Sequence, residues 1–132
     1  MEHQEALHTR AGIDEIIIYC TNDAAVMKAW ALDQGIEHYE ANDTKGRITF
    51  LGDPTGSLTK ALDMELTHPG PVEGAGLIGR SKRFALYAVN GEVKYLAVSE
   101  KDDDPAGDDD PTITLAPAMM DEILRLENND EL

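Results

Sequence analysis

Chemistry in this chain would have to start from Cys20, its single cysteine, from the cations Arg80, Lys82 and Arg83, or from the aspartates between residues 100 and 111. A thiol attacks only as its thiolate, so a reactive Cys20 would need a helix N-terminus or a nearby cation to bring its pKa below ~8.5. Cys20 closes the apolar run "EIIIYC", and the helix-like "AAVMKAWALDQ" opens only at Ala24. The nearest basic residue along the chain is Lys28. These residues favour a buried cysteine at a strand end over a nucleophile.

Arg80, Lys82 and Arg83 open the segment "RFALYAV" within an otherwise acidic chain. An arginine at the start of a strand can hold a carboxylate, a phosphate or a thiolate. Alternation puts Arg83 on the side of Ala85 and Tyr87. The plainer expectation is an arginine salt-bridged at a sheet edge.

The acidic segment "EKDDDPAGDDDPT" partly matches a calcium loop. Asp102, Asp104, Gly107 and Asp108 fall at the first, third, sixth and seventh template positions, but the twelfth is Ile113, where a bidentate glutamate belongs. A solvated acidic turn is therefore expected. His3, His8, His38 and His68 show no metal-ligand spacing and read as surface residues. No phosphate loop or nucleophile-elbow serine occurs, and neither a metal nor a cofactor is implied.

The elements that would position these residues follow from periodicity. Residues 1–11 read as the tail of a helix stopped by Gly12. "EIIIYC", rich in isoleucine, reads as a strand buried on both faces. The next helix is capped within Thr21, Asn22 and Asp23 and stopped by Gly35, and "RITFLGD" is a second strand ending in the turn "DPTG". Strand, helix and strand in this order form a parallel βαβ unit. "SLTKALDMEL" reads as a short helix and "THPGPVEGAGLIG" as a loop. "RFALYAV" and "KYLAVS" form a hairpin around Asn90-Gly91, and "LAPAMMDEILRLE" is a final helix with Pro117 in its first turn. The layout is α/β.

With 132 residues and 42% hydrophobic content, the chain suits one domain with its own core, residues 1–132, carrying an acidic loop at 100–111. No apolar run is long enough for a membrane helix, and no secretory leader is visible in "MEHQEALHTR". A net charge of −15 opposes nucleic-acid binding. A lone cysteine fits a reducing compartment, cytoplasm or organelle interior.

Four segments, "NDAAVMKAWA", "ITFLGDPTGSLTKALDMEL", "RSKRFALYAVNGEVKYLAV" and "TLAP", together resemble the type-II (type-five) peroxiredoxins in that family's order. The resemblance implies a thioredoxin-like three-layer domain, here truncated at its N-terminus. It also implies a family that reduces hydroperoxides through a peroxidatic cysteine, recycled by a thiol donor such as glutaredoxin or thioredoxin. That cysteine sits in a Pro-x-x-x-Thr-x-x-Cys motif at the first turn of a helix, upstream of the matched segments, and an arginine at the position of Arg83 helps to activate it. Cys20 does not fit the motif, because Ile17 and Ile13 stand where threonine and proline belong. The segment "DPTI", where some members keep a resolving cysteine, has none.

Two expectations follow. One is a peroxiredoxin-like domain without its peroxidatic thiol, a non-catalytic binding or structural subunit in which Arg83 is vestigial and Cys20 structural. The other is a thiol-dependent hydroperoxide reductase whose N-terminal catalytic segment is missing from this sequence. In the family's fold an internal strand precedes the catalytic cysteine. Under the first reading, either the "IIIYC" and "FALYAV" strands close up and pair directly, or a partner fills the slot with a complementing strand from another chain, with a homodimer as a further option.

Overall fold

A computed structural model describes residues 4–36 and 47–130. The chain divides into two compact units, Met1–Asp63 and Met64–Leu132.

The first unit opens with helix α1, Gln4–Thr9. Gly12 follows at φ 67°, a left-handed conformation that glycine adopts without a Cβ penalty. The chain then enters β1, Glu15–Cys20, crosses through α2, Ala24–Asp33, and returns as β2, Arg47–Gly52. Asp23 caps α2 by accepting the Val26 N–H at 2.9 Å. β1 and β2 pair in parallel from Glu15 opposite Arg47 to Cys20 opposite Gly52, as the βαβ reading requires.

Alternation along the two strands turns Ile16, Ile18 and Cys20 of β1 and Ile48 and Phe50 of β2 to one face. There they pack with Met27 and Ala31 of α2 and with Ile36. Trp30 meets Phe50 edge to face, with ring centres 5.2 Å apart. The expectation that β1 is buried on both faces fails at Ile17, which is 55% exposed. The reason is local: α2 covers only the face carrying the even-numbered side chains, and Ile17 projects from the other.

Past β2, helix α3 spans only Ser57–Ala61, shorter than the sequence suggested. Leu62 forms its C-cap and Asp63 turns to φ 57°, so "DMEL" leaves the helix.

In the second unit, Met64 to Leu66 run beside Arg80 to Lys82. The Leu66 N–H bonds to the Arg80 carbonyl and the Lys82 N–H to the Met64 carbonyl, both at 2.7 Å. The Gly- and Pro-rich stretch between them, expected to be wholly irregular, contains one π-helical turn over Gly70–Gly74. The hairpin is as expected: β3, Phe84–Val89, pairs antiparallel with β4, Glu92–Val98. Asn90 and Gly91 form its tip at φ 52° and 80°, the double left-handed geometry of a type I′ turn. A register shift at Tyr87/Ala88 leaves Lys94 as the extra residue of a bulge. After the acidic loop, a 3₁₀ turn at Thr112–Thr114 leads into α4, Ala116–Asp130. Met119 and Ile123, four residues apart on α4, are buried, as are Met64, Leu66 and Ala97 of the same unit. The Tyr87 hydroxyl of β3 donates to Glu127 of α4 at 3.4 Å.

Candidate functional site

Cys20 is half-buried and sits at the C-terminal end of β1, not in the first turn of a helix. Its backbone is held on the ladder: it pairs with Gly52, and its carbonyl accepts the Asp53 N–H at 2.8 Å. Its side chain belongs to the apolar cluster under α2. Gly52 explains the close fit of the strand ends, since a Cβ there would lie 2.6 Å from the Asn22 carbonyl oxygen. α2 is entered through Asp23, whose carboxylate already caps the helix, so its N-terminal turn is served by an anion other than a thiolate.

Asp53, the first residue of the "DPTG" turn, organises the next step of the chain. Its carboxylate is buried and accepts the Leu58 N–H at 3.2 Å, the Thr59 N–H at 2.9 Å and the Thr59 hydroxyl at 2.8 Å. The residue at the N-cap of α3 is Gly56, which has no side chain to cap with, so Asp53 supplies the acceptor from three residues upstream. The Thr59 N–H is the largest influence on Asp53 and holds its carboxyl below the usual aspartate value, against a smaller opposing effect of burial. An aspartate directly before "PTGS" is the signal that could have revealed this role.

Arg83 stands just before β3 in the second unit, and its Nη2 donates to Asp108 Oδ1 at 2.8 Å. The pair is open to solvent, with side chains 45% and 72% exposed, so screening leaves it little energetic weight. Lys82 pairs with Glu100 at 3.0 Å, and Lys101 with Asp110 at 2.9 Å. Arg80 is exposed. Three of the cations near the hairpin base are thus matched to acidic groups in or beside the loop, as an edge salt-bridge reading expects.

Two of the aspartates on the calcium template, Asp104 and Asp108, are engaged by protein groups. Asp104 is buried and accepts the N–H groups of Asp109 and Asp110, at 3.2 and 2.9 Å. Asp108 faces Arg83. Asp110 accepts the Thr112 hydroxyl at 2.6 Å and the Thr112 N–H at 3.3 Å. The Thr112 hydroxyl and then the Lys101 ammonium lower the Asp110 carboxyl to about 2, and Asp110 in turn raises Lys101. Gly107 lies against Ser99, where a Cβ would come within 2.1 Å of the Ser99 carbonyl oxygen. The loop is folded on its own side chains.

The histidines depart from the surface expectation. His8 and His68 are both half-buried and locally bonded: His8 Nδ1 donates to the Ile13 carbonyl, and His68 Nδ1 accepts the Gly70 N–H at 3.0 Å. His3 and His38 lie outside the described residues. Among the described residues, no group of three or more His, Cys, Asp or Glu side chains could hold a metal ion, and no helix is long and apolar enough to cross a membrane.

Comparison with known proteins places this arrangement. The chain is 39% identical over 89 residues to peroxiredoxin-2C of Oryza sativa subsp. japonica, covering 67% of this chain and 48% of that protein. It is also 39% identical over 89 residues to the chloroplastic peroxiredoxin-2E of Arabidopsis thaliana, covering 34% of that protein. The chain thus spans about half the length or less of these curated relatives. Among solved structures, reduced Prx3 of Vibrio vulnificus in complex with hydrogen peroxide superposes with a TM-score of 0.70 at 29% identity. The match covers 96% of this chain and 65% of that one. The fold is accordingly of the thioredoxin-like α/β type. The Redoxin family model matches residues 1–113, and the chain belongs to that family.

Proposed function

We propose that this chain is a peroxiredoxin-like redoxin domain that does not itself turn over hydroperoxide and serves as a binding or structural subunit of a larger assembly. One observation carries the reading: the only thiol is held on a strand ladder, opposite Gly52, with its side chain in an apolar cluster. A peroxidatic thiolate must reach the peroxide oxygen, displace water or alcohol as the O–O bond breaks, and become a sulfenic acid. That task calls for a helix N-terminus or a cation at the sulfur. No Pro-x-x-x-Thr-x-x-Cys motif occurs in the sequence, and Arg83 donates to the Asp108 carboxylate. Arg83 is then a vestige stabilised by an exposed ion pair, and Cys20 is structural.

A subunit of this kind needs a partner. Two-stranded sheets are marginal on their own, and each unit contributes one such sheet. An extended strand from another chain, added by β-augmentation, is the partner most suited to such edges. The second reading is a thiol-dependent hydroperoxide reductase whose catalytic cysteine lies in a segment outside this sequence. The retained Arg83 at the start of β3, together with a hydrogen-peroxide complex of a structural neighbour, favours it.

Stopped-flow mixing of the protein with hydrogen peroxide tests the main reading. Only a slow thiol reaction is expected, and Cys20→Ser should remove no fast phase. A rapid reaction that depends on Cys20 would overturn it. Intact mass of the protein isolated from its source separates the second reading, which requires additional chain bearing a cysteine motif.

A further inference from the structure

Asn90 is one of five asparagines in the chain and the only one followed by glycine. Asn22 and Asn42 precede aspartates, Asn128 precedes Asn129, and Asn129 precedes Asp130. The difference matters to a reaction internal to the backbone. The nitrogen of the following residue can attack an asparagine carboxamide carbon and close a succinimide ring, and a Cβ on that residue obstructs the approach. Gly91 has none, and nothing lies within 4 Å of where one would stand. Ala88 to Lys94 are all exposed, and among the described residues no hydrogen bond holds the Asn90 carboxamide.

We infer that Asn90 is a modification site, whose carboxamide condenses with the Gly91 amide when the hairpin tip opens and ends chiefly as isoaspartate. Water is the only co-reactant. A bond forms between the Gly91 nitrogen and Asn90 Cγ, the Cγ–NH2 bond breaks, and ammonia leaves with the proton of the Gly91 N–H. Water then opens the succinimide without any transfer of electrons to or from another group. Attack at the Cγ carbonyl leaves aspartate. Attack at the more electrophilic backbone carbonyl leaves isoaspartate, with the chain now running through Cβ and Cγ.

The fold gates the first step. In the type I′ turn, with Asn90 at φ 52° and Gly91 at φ 80°, the Asn90 ψ is about +30°. At that angle the Gly91 nitrogen points away from the Asn90 Cβ, and the ring cannot close until the backbone rotates. The rotation is accessible because only the exposed rungs Ala88–Val93 and Val89–Glu92 lie between the turn and the bulge at Lys94. The two products then differ in consequence. Aspartate leaves an Asp-Gly tip, which suits the same turn. Isoaspartate lengthens the loop by one backbone carbon and breaks the match of Val89 to Glu92 and of Ala88 to Val93. The bulge already interrupts the ladder, so the rungs from Tyr87–Tyr95 to Phe84–Val98 hold, as does the Tyr87 bond to Glu127. The outcome is a one-way loosening of the outer hairpin that advances with time and alkalinity. It does not depend on whether the chain reduces peroxide.

The test incubates the intact protein at mildly alkaline pH in water enriched in heavy oxygen. Digestion and mass spectrometry follow, with the two acidic isomers separated. Asn90 should convert before any other asparagine, carry the label and yield mainly isoaspartate. In urea sufficient to unfold the chain, conversion should run roughly tenfold faster, since every tip is then open. Asn90→Gly, which suits the left-handed φ, should fold as the native chain does and show no labelled product at this position. Asn90→Asp should melt with the fresh protein, while the aged protein melts lower and exchanges amides faster at Val89 and Val93 but not at Tyr87. Earlier conversion of another asparagine, or none at Asn90, would overturn the site. Aspartate without isoaspartate would overturn the ring route, and an unchanged rate in urea the gate. An aged protein that melts like Asn90→Asp would overturn the loosening.

Discussion

Replacing Phe50 by alanine probes the reasoning about the first unit most directly. Phe50 is 1% exposed and lies at the centre of the cluster formed by Met27, Ala31 and Ile48. Truncation removes a fully buried aromatic side chain and leaves a cavity that strand neighbours on a fixed ladder fill poorly, which costs about 3–5 kcal/mol. Part of that, about 0.5–1.5 kcal/mol, is the edge-to-face contact with Trp30. Domains of this size hold about 5–15 kcal/mol in total, so the variant loses at least about a fifth of its margin. Trp30 is the only tryptophan, and it reports on the same cluster. Urea unfolding followed by its fluorescence should show the midpoint falling by roughly 2 M, taking an m-value of about 2 kcal/mol/M. Phe50→Leu keeps most of the apolar volume and should lose less than half as much. A double-mutant cycle with Trp30→Leu, all four members followed by far-UV circular dichroism because this variant removes the fluorophore, isolates the aromatic contact. A midpoint shift below about 0.5 M for Phe50→Ala, with m unchanged, would refute the core assignment.

Other outcomes follow from the loop and the charge. Asp110 titrates at about 2, below its reference of 3.8, so its bonds add stability that is complete above about pH 4 and disappears as pH falls through about 2. Asp110→Asn should therefore flatten the acid limb of a plot of Tm against pH; an unchanged limb would discard this assignment. Gly107→Ala should destabilise more than Gly12→Ala. Both positions have positive φ, but only at Gly107 does the new methyl collide with Ser99, and thermal melts showing the reverse order would contradict the packing. With a net charge of −15, Tm should rise as ionic strength goes from about 0.01 to 0.15 M and the Debye length falls from ~30 to ~8 Å. A steady decrease would mean that the ion pairs of Lys82, Arg83 and Lys101 outweigh the general repulsion.

The parts of the fold legible in the sequence are those governed by short-range periodicity and turn chemistry. Alternation and Asn90-Gly91 gave the hairpin away, and capping by Asp23 marked the start of α2. That Cys20 ends a strand was equally readable, because no helical spacing includes it. The exposure of Ile17 was not. A continuous apolar run is the same string whether one face or two are covered, and only tertiary packing decides between them. The buried carboxylates of Asp53 and Asp104 were hidden for a related reason. Each gathers N–H groups five or six residues away through a loop conformation that composition does not encode. The acidic loop reads as a tract of repelling charge, yet its backbone curls so that its own amides and the neighbouring cations neutralise it.

The position of Cys20 also gives the molecule an internal clock for breathing. A solitary thiol, half-buried at the last rung of the β1–β2 ladder, meets a bulky disulfide reagent more readily when that rung lets go. Its rate of modification under native conditions then reads the free energy of a local opening, as amide exchange does, but at one chosen point and with a visible chromophore. Where Asp53 releases the Cys20 carbonyl, the strand ends separate first. Labelling should therefore quicken in any variant that loosens Gly52 from Asn22, well before global unfolding is detected.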